Sequence, residues 1–167
     1  MNVVYVLDGE NVCVNLVAVH RAFIQDMEDE IPFFLIVGIT SENTRRNDFM
    51  VGEGKGETKR VQKFLNFMSD ELSPCIESRY HVIRYRVGIG HSLGSSLLMY
   101  ALCERDSFFN TYMMFSPNLV YGQDRLLKSF KTKVPVKPDK FVYISSGETG
   151  DLEAGYKKGS VDFILCL

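Results

Sequence analysis

Hydrophobic and polar positions along this chain switch repeatedly between two periods. Residues 3–7 form a continuous β-branched and aromatic run that stops at Asp8-Gly9, the pattern of a buried strand delivering the chain into a turn. Over residues 12–27 the apolar side chains Leu16, Val17, Phe23, Ile24 and Met27 fall at helical spacing, which predicts a helix with Asn11 as a candidate cap. Pro32 then precedes an apolar run over residues 33–37 that ends at Gly38 and predicts a strand covered on both faces. Residues 40–58 are polar and glycine-rich and read as a long surface loop. Beyond it, Val61, Phe64, Leu65, Met68, Leu72 and Ile76 mark one helical face while Lys59, Arg60, Lys63, Asn66 and Asp70 populate the other. The remaining pattern predicts a strand over 82–89, a largely buried helix over 93–103, a strand over 112–115, a helix over 124–130 and a strand over 141–144.

Strands alternating with helices predict an α/β sandwich: a mostly parallel central sheet, right-handed crossovers and helices on both faces. The only linker-like stretch, residues 131–140 with Pro135 and Pro138, is short enough to be a connection inside one domain, so residues 1–167 read as a single domain. With 167 residues, 46% of them hydrophobic and 24% charged, the chain can bury a sizeable core. A net charge of −2 supplies no basic field for nucleic acid or an anionic membrane. No stretch reaches the roughly 18–20 apolar residues of a membrane span, and the opening segment lacks a basic region and cleavage site, so the expectation is a soluble, cytoplasmic chain. Cys13, Cys75, Cys103 and Cys166 are scattered without a CxxC pair, which argues against a zinc site or a disulfide framework and for reduced, core-filling thiols.

The chemistry concentrates at Gly90-His91-Ser92-Leu93-Gly94, a G-x-S-x-G pentapeptide between a predicted strand and a predicted helix. A sharp strand-to-helix turn would hold Ser92 as a nucleophile at the C-terminal edge of the sheet, with glycines flanking it because side chains there would meet the neighbouring strand and helix. The plainer reading is a serine capping a helix. A dinucleotide fingerprint starting at Gly88-x-Gly90 fails because position 93 is Leu93 and not glycine. The stretch Gly52-Glu53-Gly54-Lys55-Gly56 lacks the Ser or Thr that a phosphate-binding P-loop places after Gly-Lys, and reads as a flexible solvated loop.

Several motifs in one order extend the comparison. Tyr5-Val6-Leu7-Asp8-Gly9-Glu10, Ile36-Val37-Gly38-Ile39 followed by Arg45 and Asp48, Asp70-Glu71-Leu72-Ser73-Pro74 with Ile76-Glu77 and Tyr80, Gly90 to Gly94, and Ser116-Pro117-Asn118-Leu119 resemble the putative-esterase family in order and approximate spacing. The resemblance covers about residues 3–150 and extends to enterochelin esterases, esterase D and feruloyl esterases. It implies an α/β-hydrolase fold and ester hydrolysis through an acyl-serine intermediate on Ser92, with a small-molecule ester as substrate and neither metal nor organic cofactor. It further implies an oxyanion hole from the backbone N–H of Leu93 and one from the turn at Gly9 or Glu10, although Asp8-Gly9 could equally be only a tight turn. The acid is expected after the strand over 141–144, where Glu148 and Asp151 both lie; Asp151 is favoured, and either could instead cap a following helix.

In this fold serine, acid and histidine follow one another along the chain. Here the histidines are His20, His81 and His91, so none follows the acid candidates. The expectation is a sheet incomplete at both ends and weak or absent turnover, because a serine hydroxyl without a base is a poor nucleophile near neutral pH. Ser95 also departs from the resemblance, adding bulk where many members have a second glycine. The competing expectation is a catalytically inactive pseudoenzyme, a module that self-associates through apolar ends such as residues 161–167, or a homo-oligomer in which a second copy supplies His20 or His81.

Overall fold

The sheet is built around its earliest strand. In the computed structural model β1 (Asn2–Leu7) pairs in parallel with β2 (Phe34–Ile39) on one side and with β3 (Arg86–His91) on the other. β4 (Thr111–Phe115) and β5 (Phe141–Ser145) extend the sheet, giving the order β2-β1-β3-β4-β5 with every pairing parallel. The structure describes residues 1–26, 33–52, 55–82, 85–104, 108–119 and 139–146, together with Leu126, Lys128 and Thr132.

Side-chain alternation along β1 feeds two cores. Val3, Tyr5 and Leu7 pack on one face with Leu97, Leu98 and Ala101 of α5 (Leu93–Glu104) and with Val61 and Leu65 of α3 (Lys55–Asn66). Val4 and Val6 face the other way, against Val12, Cys13 and Leu16 of α1 (Gly9–Asp26). Helices therefore cover both faces, and β1 is buried along almost its whole length, which explains why it reads as an unbroken apolar run. α5 is apolar nearly all round for the same reason, lying between the sheet and other helices.

The helix over 61–76 is longer and less regular than its amphipathic face suggested. It runs from α3 through a π-helical turn, Phe67–Leu72, into α4 (Ser73–Arg79), with Val61, Leu65 and Met68 buried on the predicted side.

Several expectations need correction. Asn11 is not a cap, since α1 already begins at Gly9 and the Asn11 N–H donates to the Asp8 carbonyl (3.0 Å) inside the first turn. Residues 40–58 are not one loop: Arg45–Phe49 forms a short helix, α2, and α3 begins at Lys55, within the supposed glycine-rich loop. The signal lay in the short apolar run Phe49-Met50-Val51, in which Phe49 and Val51 are 0% and 1% exposed and pin this segment onto the core. The strand over 82–89 is shifted to Arg86–His91, and Val82 instead follows the end of α4. Cys103 is buried, but Cys13 is half-buried and Cys75 exposed, so not every thiol fills the core. Most of the helix expected over 124–130, Cys166 and the apolar tail 161–167 lie outside the described residues.

Strand order reverses between β1 and β3: the chain leaves β1 for β2 on one side, then returns past β1 to lay down β3, β4 and β5 on the other. In open parallel sheets the crevice beyond the strand C-termini at such a reversal is where ligands bind. The residues emerging there are Asp8 after β1 and Ser92 after β3.

Candidate functional site

Ser92 sits between the last residue of β3 and the first of α5, half-buried, with φ = 55°. A left-handed backbone costs a non-glycine residue roughly 1–2 kcal/mol and persists only where the surroundings enforce it. They do so here by close approach. A Cβ on Gly90 would lie 2.6 Å from the Gly94 carbonyl carbon and 2.8 Å from the Ser95 nitrogen, and one on Gly94 would lie 3.3 Å from Leu7 Cβ. The two glycines of the pentapeptide thus let α5 start directly over β3 and against β1. The Ser92 N–H donates to the Phe115 carbonyl at the end of β4 (3.0 Å), and the Ser92 carbonyl accepts from the N–H groups of Ser96 (3.2 Å) and Asn118 (3.1 Å).

Asp8 leaves β1 with φ = 56° and is 5% exposed. The next residue, Gly9, opens α1, and its flank is closed: a Cβ there would come within 2.5 Å of Gly38 Cα on β2. Leu93 opens α5 in the same manner. First-turn N–H groups have no acceptor within their own helix, and helix N-termini carry partial positive charge. Gly9, Glu10 and Leu93 therefore bring two helix starts to one sheet edge, from two adjacent strands, a combination suited to holding a developing negative charge. A Cβ on Gly94 would be 3.7 Å from Asp8 Oδ2, which shows how close the two turns lie.

Arg45, from α2, clamps the Asp8 carboxylate with two hydrogen bonds, Nε to Oδ1 at 2.6 Å and Nη2 to Oδ2 at 2.9 Å, and Nη2 also reaches the His91 carbonyl at 3.4 Å. The Asp8 hydrogen bond raises the Arg45 pKa further above its ordinary value, with burial opposing it. Phe49 lies beneath the guanidinium, its ring centroid 6.0 Å from Cζ. A polar, glycine-rich pattern that reads as loop over residues 40–58 hides this tie. The sequence pattern does not announce Ser116 either: it follows β4 with φ = 43°, so three strand ends on this edge carry a left-handed non-glycine residue. Such strain clusters at functional sites.

Glu148 and Asp151 lie outside the described residues. His91 is exposed at the end of β3. His20 packs edge-on against Phe34, the first residue of β2, with ring centroids 5.5 Å apart, and exposed His81 follows α4 and precedes β3. Both therefore lie toward the strand N-termini, the edge opposite Ser92. Among the described residues no cluster of three or more His, Cys, Asp or Glu side chains is placed to hold a metal, and no helix is long and apolar enough to cross a membrane.

Over 69 residues, 41% of this chain and 24% of the relative, the sequence is 32% identical to ferri-bacillibactin esterase BesA of Bacillus subtilis, so the match spans about a quarter of that curated relative. The BES protein of Bacillus cereus superposes with a TM-score of 0.78 at 21% identity, over 95% of this chain and 68% of that one. The enterobactin esterase FES of Shigella flexneri superposes with a TM-score of 0.69 at 16% identity, over 98% of this chain and 44% of that one. These likenesses show a shared α/β-hydrolase fold. The family model described as Putative esterase matches residues 1–150, and the chain belongs to that family.

Proposed function

We propose that this chain hydrolyses carboxylic esters through an acyl intermediate on Ser92. The observation that carries the reading is the strained turn at Ser92, φ = 55°, set beside the opening turns of both α1 and α5. Ser92 Oγ attacks the ester carbonyl, and the oxyanion is held by the N–H of Leu93 and that of Gly9 or Glu10, each donor worth about 2.7–4 kcal/mol of barrier. Collapse expels the alkoxide, which takes up a proton and leaves as the alcohol, and water then cleaves the acyl-serine to carboxylate and free hydroxyl. Glu148 and Asp151 are the acid candidates, with Asp151 favoured. BesA is named a ferri-bacillibactin esterase, FES an enterobactin esterase and the similarly folded EstA and EstB of Aspergillus nidulans siderophore hydrolases, which makes a siderophore ester the substrate class to try first.

Within residues 1–167 no histidine follows either acid candidate, and His20 and His81 sit toward the far edge of the sheet. In this reading the Ser92 proton passes to water as Oγ attacks. In the serine-protease template, binding and oxyanion stabilisation alone give roughly 10³- to 10⁴-fold acceleration over water when a triad member is removed. Release of p-nitrophenol from p-nitrophenyl acetate, followed at pH 8 for the wild type and Ser92→Ala, tests this. Slow saturable release that disappears in Ser92→Ala is the expected outcome; equal release from both proteins overturns the reading.

A further inference from the structure

Two buried serines stand behind Ser92, Ser95 where the close packing of helix on strand would favour the smallest residue, and the hydroxyls of both are fully engaged. Ser95 is 0% exposed; its Oγ lies 2.6 Å from the Gly90 carbonyl oxygen at the end of β3 and 2.9 Å from the Phe115 carbonyl oxygen at the end of β4. Ser96 is 1% exposed; its Oγ–H donates toward the Asn118 carbonyl and lies 3.3 Å from the Ser92 carbonyl oxygen. The acceptors are not arbitrary. The Phe115 carbonyl also receives the Ser92 N–H, while the Ser92 carbonyl also receives the Asn118 N–H. Each hydroxyl thus shares an acceptor with the backbone bonds that hold Ser92 in its left-handed conformation.

We infer that Ser95 and Ser96 are positioning residues: their hydroxyls tie the start of α5 to the ends of β3 and β4 and so fix the Ser92 backbone. The bulk that Ser95 adds, expected to disturb the turn, is absorbed because its oxygen points at two strand-end carbonyls that a glycine would leave with fewer donors. A buried hydroxyl between two carbonyls can donate its single proton to only one of them at a time. It therefore shares one proton across the seam between β3 and β4, whereas alanine would present a methyl group to both. Ser96 performs the matching task one residue later, on the loop that follows β4. The role of these residues in reaction rests on Ser92 being the nucleophile; their role in placing Ser92 does not.

The test separates those two statements. Amide hydrogen exchange over residues 90–96 is compared in the wild type, Ser95→Ala and Ser95→Cys. The cysteine variant keeps a side chain of similar size with a much weaker donor, and supplies the comparison if the alanine variant does not fold. Reaction with a fluorophosphonate is followed on the same proteins, resolving the rate constant of phosphonylation from the concentration for half-saturation. Faster exchange confined to residues 90–96, with the phosphonylation rate constant lowered about tenfold or more and half-saturation unchanged, supports the inference. Locally faster exchange in a set of proteins that never react with the probe also supports positioning, and overturns only the hydrolase reading. Unchanged exchange at these amides overturns the inference, whether or not the proteins react.

Discussion

Arg45 and Asp8, 37 positions apart, meet as a two-pronged ion pair with Nε–Oδ1 at 2.6 Å and Nη2–Oδ2 at 2.9 Å. The carboxylate side chain is 8% exposed and the guanidinium 32%. The pair joins a short helix to the turn after β1, and through the His91 carbonyl to the residue before Ser92. Desolvation falls mainly on Asp8, so the pair's structural weight lies in what happens to that carboxylate when the arginine is lost.

Arg45→Ala leaves a buried carboxylate with its two strongest donors gone. Because Arg45 is partly solvated, the expected loss is about 1–3 kcal/mol, below that of a fully buried pair. Arg45→Lys retains the charge but not the fork, and should fall between the two. Urea unfolding of the three proteins checks the order; an alanine variant as stable as the wild type contradicts the clamp.

Gly90 and Gly56 should respond oppositely to alanine. A Cβ at Gly90 meets backbone on α5 at 2.6 Å, so Gly90→Ala is expected to cost about 3 kcal/mol or more through forced movement of the helix start. A Cβ at Gly56 meets nothing within 4 Å, and Gly56 lies in the first turn of α3, so Gly56→Ala should stabilise by about 0.5 kcal/mol. Thermal melts of the two variants read both signs at once.

Much of this architecture was legible in the sequence because the signals were strong and local. The run through Val3 to Leu7 is apolar on both faces, and the structure buries both. The pentapeptide around Ser92 carries its own geometry, since a Cβ at Gly90 would meet Gly94 backbone at 2.6 Å and one at Gly94 would press on Leu7 at 3.3 Å. What escaped depends on contacts distant along the chain. Arg45 looks like one solvated cation among several until the fold carries Asp8 to it. Ser95 looks like excess volume until the ends of β3 and β4 supply its two acceptors. Ser116 has a left-handed backbone that nothing in Ser116-Pro117 announces.

Ser92→Gly should separate stability from chemistry. Glycine adopts φ = 55° without the steric penalty that serine bears there, so the variant is expected to gain about 1 kcal/mol of unfolding free energy. It should at the same time lose all reaction with p-nitrophenyl acetate. Chemical unfolding of the variant beside the wild type checks the sign, and a destabilised variant would show that the turn is not under strain.

Cysteine reactivity should follow placement. Burial, reinforced by the negative charge of Glu10, raises the Cys13 pKa above the usual thiol value, so at pH 8 a smaller fraction is thiolate than for an ordinary cysteine. Exposed Cys75 should be alkylated first by iodoacetamide, Cys13 more slowly and with a rate still rising as pH increases beyond the ordinary thiol range, and buried Cys103 only on unfolding. Peptide mapping by mass spectrometry against time gives the order; Cys13 reacting ahead of Cys75 at pH 8 contradicts it.

Ester hydrolysis through an acyl-serine requires Ser92 to be a reactive hydroxyl and not merely a residue in a tight turn. Intact-mass measurement after incubation with a fluorophosphonate, followed by peptide mapping, examines this most directly. One phosphonyl group per chain, carried on Ser92 and absent from Ser92→Ala, is the predicted result. No adduct on folded protein, or an adduct that persists in Ser92→Ala, would contradict it.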